Sequence, residues 1–236
     1  MGDGGVIPGA ARLYCLREAL RGKSLGIDGG IGAGKSTLCL ALDRVVRNIV
    51  GLPVVHLAEN MRPKLFSYFE NDVKANAFPT QMTMLGKRLV AIDTMKHVKE
   101  TGKFGLMDRT IRGDYAFMLM HHKDGNINDR QREIYEEESY GTCQETPLEE
   151  MTILRLQTTD EVQKTRIVHR SRPKEVKFYL ETDPTYLQRL EVAHDESMEN
   201  PHLAPARVMH LNWDENKVLD DEACLRLLES IFLASP

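Results

Sequence analysis

Nine consecutive residues, Gly29-Gly30-Ile31-Gly32-Ala33-Gly34-Lys35-Ser36-Thr37, satisfy the spacing G-x-x-x-x-G-K-[ST]. Glycines let backbone N–H groups converge on phosphate oxygens with no Cβ in the way, and a helix starting here adds the positive end of its dipole. Lys35 brings a mobile charge to the β- and γ-phosphates, and the Ser36 hydroxyl is a ligand for Mg²⁺. The chemistry implied is capture of a nucleoside triphosphate. Two carboxylates extend it. Glu59 ends the run Val54-Val55-His56-Leu57-Ala58, where it faces the phosphate loop across a crevice and can take a proton from an attacking hydroxyl. Asp108-Arg109 follows Phe104-Gly105-Leu106-Met107; Asp108 orients Mg²⁺ through water, and Arg109 clamps phosphate oxygens or holds Glu59 ionised.

These residues need strands to carry them. Short apolar runs begin at Leu25, Pro53, Phe104, Val176 and Val208, with segments of helical spacing between them. Strand–helix alternation predicts an α/β fold, a five-stranded parallel sheet with helices on both faces. Residues 1–23 read as a flexible Gly-rich leader with a short amphipathic piece, and 24–236 as a single domain. Gln81 and Arg88 lie two helical turns apart, so both can face one pocket, and a Gln amide suits the edge of a nucleobase. Arg88 paired with Asp114 would fix that pocket's polarity, and Phe78 is a candidate to stack on the base.

Composition excludes several classes. With 31 Lys+Arg against 35 Asp+Glu the net charge is −4, which speaks against a nucleic-acid polymer as partner. No apolar run reaches the ~20 residues of a membrane helix, and Met1-Gly2-Asp3-Gly4-Gly5-Val6 matches neither a secretory signal nor a myristoylation site, which needs Ser or Thr where Val6 stands. The four cysteines show no metal or disulfide spacing, so a reducing, cytoplasmic setting is expected.

With these motifs in place, Ser24 to Asn216 resembles the deoxynucleoside kinases, the family of deoxycytidine, deoxyguanosine and mitochondrial thymidine kinases with viral and bacterial relatives. The phosphate loop looks like the family's own. Asp108-Arg109-Thr110 is similar to its acidic-Arg-Ser signature, and Phe78-Pro79-Thr80-Gln81 is similar to the start of its base-reading helix. The resemblance implies a P-loop kinase fold and transfer of the γ-phosphoryl group of ATP, with Mg²⁺, to the 5′-hydroxyl of a deoxynucleoside. It assigns Glu59 as base, and Lys35 and Arg109 to the phosphates. Gln81, Arg88 and Asp114 would read the base, a combination found in members that accept deoxycytidine or purine deoxynucleosides rather than thymidine. It points to Tyr68 or Phe69 for the sugar, to Asp214-Glu215-Asn216 for the adenine, and to a homodimer.

The pattern departs from the family in two places. Asn60-Met61 follows Glu59 where Pro-Val is usual, and the helix after the expected fourth strand keeps only Arg189 as a lid cation, with Glu196 or Glu199 implied by the resemblance as its sugar-facing acid. The cluster Arg166, His169, Arg170 and Arg172 precedes that strand and is expected on the far side of the sheet. Two other readings stay open: a nucleoside monophosphate kinase with Arg62 as its phosphate clamp, and a non-catalytic nucleotide-binding module with a depleted lid.

Overall fold

The computed structural model describes residues 9–59, 66–67, 71–145, 151–170, 172–203, 207–214 and 219–234. Five strands form one parallel sheet: β1 (Ser24–Gly29), β2 (Val54–Leu57), β3 (Phe104–Asp108), β4 (Met151–Gln157) and β5 (Arg207–Asn212), in the order β2-β3-β1-β4-β5. Side chains alternate across the sheet. Leu25, Ile27, Leu106, Leu154 and Leu156 pack on helices α1 (Gly9–Leu20), α2 (Lys35–Val45) and α9 (Asp221–Phe232). The opposite face turns Met107, Met151 and Ile153 toward α3 (Val73–Thr101) and α8 (Tyr186–Met198). A further layer is built from α4 (Ile111–Lys123), α5 (Asp129–Glu145) and α6 (Asp160–His169). Among the described residues no helix is long and apolar enough to cross a membrane.

The helices start where capping predicts. The Asp72 carboxylate accepts from the Ala75 N–H at 3.0 Å to open α3, and Asp220 accepts from Ala223 at 2.7 Å to open α9. α1 lies within the expected leader, yet Leu16 and Leu20 are fully buried and Arg12 is paired with Glu222 and Glu229 on α9.

One strand is not where the apolar runs put it. Val176 to Leu180 is helical: α7 (Pro173–Val176) continues as a wider π-type turn over Lys177–Thr182. Phe178 and Tyr179 are buried there by packing on Phe66 and Tyr186, which satisfies the apolar run without a sheet. The fourth strand is Met151–Gln157, six of whose seven residues are buried, including Arg155. Every segment from 158 to 182 therefore follows the carboxyl end of β4 instead of preceding it, so α6 and α7 lie on the phosphate side.

Candidate active site

The phosphate loop joins β1 to α2. Lys35 is almost fully buried and folds back on its own loop, its ammonium 2.9 Å from the carbonyls of Gly29 and Gly30. Burial, with Arg109 nearby, lowers its pKa to about 8. The Ser36 hydroxyl donates to Asp108 Oδ2 at 2.5 Å. The other oxygen, Asp108 Oδ1, is buried with no hydrogen-bond partner among the described residues. A hydroxyl and a carboxylate with a spare oxygen, beside a phosphate loop, fit Mg²⁺, which takes few protein ligands and completes its shell from phosphate and water.

β2 and β3 bring the next pair together. Arg109 Nε donates to Glu59 Oε1 at 2.6 Å, and the guanidinium lies 4.7 Å over the Phe117 ring. Burial alone would push the Glu59 carboxyl up, but Arg109, Lys35 and Arg88 outweigh it and hold it at about 2. Arg109 adopts φ 71°, a left-handed conformation that costs a non-glycine residue on the order of 1–3 kcal/mol. Its N–H bonds Ile27 O at 3.0 Å, and next to it Thr110 donates from both N–H and hydroxyl to the buried Asp28 carboxylate. The strained turn is fixed by β1, and it aims Arg109 at the crevice.

A cleft of about 400 Å³ runs from Lys35, Ser36 and Thr37 past Glu59 and Arg109 to Thr80 and Gln81, closed by Phe66, Tyr179 and Tyr186. Arg170, Arg172 and Glu175 line it too. Arg172 Nη1 donates to Glu175 Oε1 at 2.8 Å, and Glu175 Oε2 is buried without a hydrogen-bond partner among the described residues. One cleft thus holds a phosphate cradle, a carboxylate on an arginine, an amide at the far end and two more arginines. That arrangement suits phosphoryl transfer to an acceptor with a flat polar head.

A family model described as deoxynucleoside kinase matches residues 25–231. The chain belongs to the deoxynucleoside kinase family. It is 28% identical to deoxyadenosine kinase of Dictyostelium discoideum over 217 residues, covering 91% of this chain and 81% of that protein. It is 26% identical to a probable deoxycytidine kinase of fowlpox virus, covering 89% and 87%. The fold is shared with solved structures of deoxyadenosine kinase from M. mycoides, one with bound dCTP (TM-score 0.65, 20% identity, 88% of this chain and 97% of that one). Another, with bound dATP, gives 0.64 at 17% identity, covering 89% and 100%.

In this kinase the remaining expected residues divide. Gln81 lines the cleft and Arg88 lies two turns along the same helix, both buried, with Arg88 Nε 2.8 Å from Asp114 Oδ2. Burial disfavours the Arg88 charge, and the adjoining Asp114 more than offsets that. Phe78 packs against the apolar core and is not among the cleft-lining residues. Asp214 accepts from the Thr159 N–H at 2.6 Å, which ties the β5 end to the start of α6. Tyr68, Phe69, Glu215, Asn216 and Arg62 lie outside the described residues.

The lid expectation is corrected. Arg189 is bound to Asp183 at 2.7 Å and to Asp124 at 3.1 Å, and does not line the cleft. Glu196 and Glu199 are exposed at the end of α8 and do not line it either, whereas Glu175 does. The cluster expected on the far side is on the cleft side instead. Arg166 bridges Ala33 O (3.0 Å) and Trp213 O (2.9 Å), and Arg170 and Arg172 line the cleft. The signal was in the sequence, since Arg166, Arg170 and Arg172 stand there as a basic cluster; the misplaced strand put it on the wrong side.

Proposed function

We propose that this kinase transfers the γ-phosphoryl group of ATP to the 5′-hydroxyl of deoxycytidine or a purine deoxynucleoside, yielding the monophosphate and ADP for nucleotide salvage. The observation that carries the reading is the 2.6 Å Glu59–Arg109 pair, set in one cleft between Lys35 and Gln81. Glu59, ionised at neutral pH, accepts the proton of the 5′-hydroxyl as its oxygen attacks phosphorus. Arg109 orients that carboxylate and meets the transferring phosphate, and Lys35 leaves its loop carbonyls to hold the β- and γ-phosphates. Arg170 and Arg172 add positive charge where the transition state spreads its negative charge. Mg²⁺, held by Ser36 and Asp108, would supply charge neutralisation between donor phosphates.

On the acceptor side, Gln81 reads the base edge, the Arg88–Asp114 pair sets its polarity, and Glu175 offers an acceptor to a sugar hydroxyl. A buried ion pair at that place disfavours the apolar 5-methyl of thymine. The named activities of the two sequence relatives, deoxyadenosine and deoxycytidine kinase, support the same lean. A homodimer through helices flanking the acceptor side belongs to this proposal and is read by sedimentation.

The test is a coupled ADP-release assay with Mg·ATP and each of the four deoxynucleosides, with deoxynucleoside monophosphates in parallel. Turnover on deoxycytidine or a purine deoxynucleoside is expected. Preference for thymidine would overturn the base reading, and turnover confined to monophosphates would overturn the acceptor.

A further inference from the structure

Arg155 stands in the middle of β4 with its side chain fully buried. Its neighbours on that face of the strand, Met151 and Ile153, are apolar, so nothing about the strand itself asks for a charge. Arg155 Nη2 lies 2.6 Å from Glu191 Oε1 and 3.5 Å from Asp195 Oδ1, both on α8, while Nη1 donates to Leu156 O at 2.5 Å. Its Nε has no hydrogen-bond partner among the described residues. A buried, incompletely satisfied ion pair is a poor source of stability, because desolvation consumes most of the attraction.

What it does locally is set by the second oxygen of Glu191. Gly30 of the phosphate loop packs directly on this cluster. A Cβ at Gly30 would sit 3.0 Å from Glu191 Oε2 and 2.8 Å from the Gln163 amide nitrogen of α6. At Gly32, whose φ is +82°, a Cβ would lie 2.7 Å from the Gln163 carbonyl. The outer surface of the loop therefore rests on α6 and α8, which flank the segment carrying Arg170 and Arg172. The contact places a carboxylate behind a loop whose inner surface must accept a triphosphate. Left uncompensated, that charge would repel the donor.

We infer that Arg155 is a positioning residue for the donor site: it cancels and fixes the Glu191 carboxylate against Gly30, so that the phosphate loop stays both packed and attractive to anions. Arg155 touches no substrate and acts through Glu191. The inference rests on the reading that this loop binds ATP.

The test compares Arg155→Met, Glu191→Gln and the double variant, by calorimetric ATP binding without acceptor and by steady-state kinetics. Arg155→Met is expected to weaken ATP binding and raise the ATP KM at least about tenfold, the scale of one unpaired charge beside an anion site. The deoxynucleoside KM should stay within about twofold, and the double variant should recover ATP binding because the repelling charge is gone. Glu191→Gln alone, which keeps Asp195 as partner for Arg155, should bind ATP as wild type does. A weakened Glu191→Gln would overturn the inference even if Arg155→Met does not fold. A double variant as impaired as Arg155→Met, or Glu191→Gln weakened about tenfold, would overturn the inference and leave Arg155 a packing element. A wild-type chain that binds no ATP would overturn it together with the reading of the loop, whereas failure confined to the variants overturns the inference alone.

Discussion

Replacing Glu59 by Gln removes one proton acceptor and little volume, which makes it the sharpest probe of the site. Glu59 Oε1 takes the Arg109 Nε hydrogen bond at 2.6 Å, and its pKa is held at about 2 against an ordinary 4.5. At neutral pH the carboxylate is fully ionised and needs no activation to act as base. Loss of such a base lowers kcat about 10²- to 10⁴-fold. A depressed carboxylate stabilises the folded chain above its unfolded pKa, and the contribution fades as pH falls from about 4.5 toward 2. The shift corresponds to roughly 3 kcal/mol at neutral pH. Glu59→Gln should then lower the melting temperature by roughly 6–12 °C, since the ion-pair partner left to Arg109 among the described residues is the more distant Asp114, at 3.9 Å. The assay is coupled ADP release at 25 °C, with circular dichroism to confirm folding and separate determination of kcat and both KM values. A further sign is available from pH: because Glu59 titrates near 2 in the free protein, any acid limb of wild-type kcat/KM in the ordinary carboxylate range must come from another group. A folded Glu59→Gln variant with kcat within about tenfold of wild type would refute the assignment of the base.

Four more outcomes follow from the same geometry. Arg170→Ala and Arg172→Ala should each lower kcat by about a hundredfold or more. Arg189→Ala should leave kcat unchanged and cost at most about 1 kcal/mol in a denaturant titration, because its partners Asp124 and Asp183 form a half-exposed surface network. Lys35 titrates at about 8 in the free protein, and a bound triphosphate would hold its proton on. ATP affinity should accordingly fall by up to about tenfold per pH unit above 8, with proton uptake visible as buffer-dependent heat in calorimetry; binding near pH 9 without uptake would refute this. Replacing Arg88 by Met together with Asp114 by Ala should raise the ratio of thymidine to deoxycytidine kcat/KM by at least about tenfold, and an unchanged ratio would remove that pair from base selection.

What could be read from the sequence was what depends on neighbours in the chain. The phosphate loop, Glu59 at the end of β2 and Asp108-Arg109 at the end of β3 are local patterns, and the structure gathers them in one crevice. The spacing of Gln81 and Arg88 is a helical property, and α3 carries both to buried positions. β4 was hidden because its distinguishing residue is satisfied from far away. Arg155 interrupts Met-Thr-Ile-Leu-Arg-Leu-Gln with a charge that its partner Glu191 compensates from 36 positions along the chain. No rule of apolar runs counts such a residue as core. Val176-Lys177-Phe178-Tyr179-Leu180 mimics a strand because aromatic burial in a wide helical turn leaves the same apolar trace. In a parallel sheet every strand runs the same way, so taking 176–180 for the fourth strand moved every cation from Arg166 to Arg172 from the carboxyl end of β4 to an amino end. The cations missing from the cleft at Arg189 are supplied by Arg170 and Arg172, which line it. The residue that concealed them, Arg155, is also the one that ties α8 to the back of the phosphate loop. A charge buried where a strand wants an apolar side chain is therefore the place in this chain where local sequence reasoning fails, and the place where the fold does electrostatic rather than packing work.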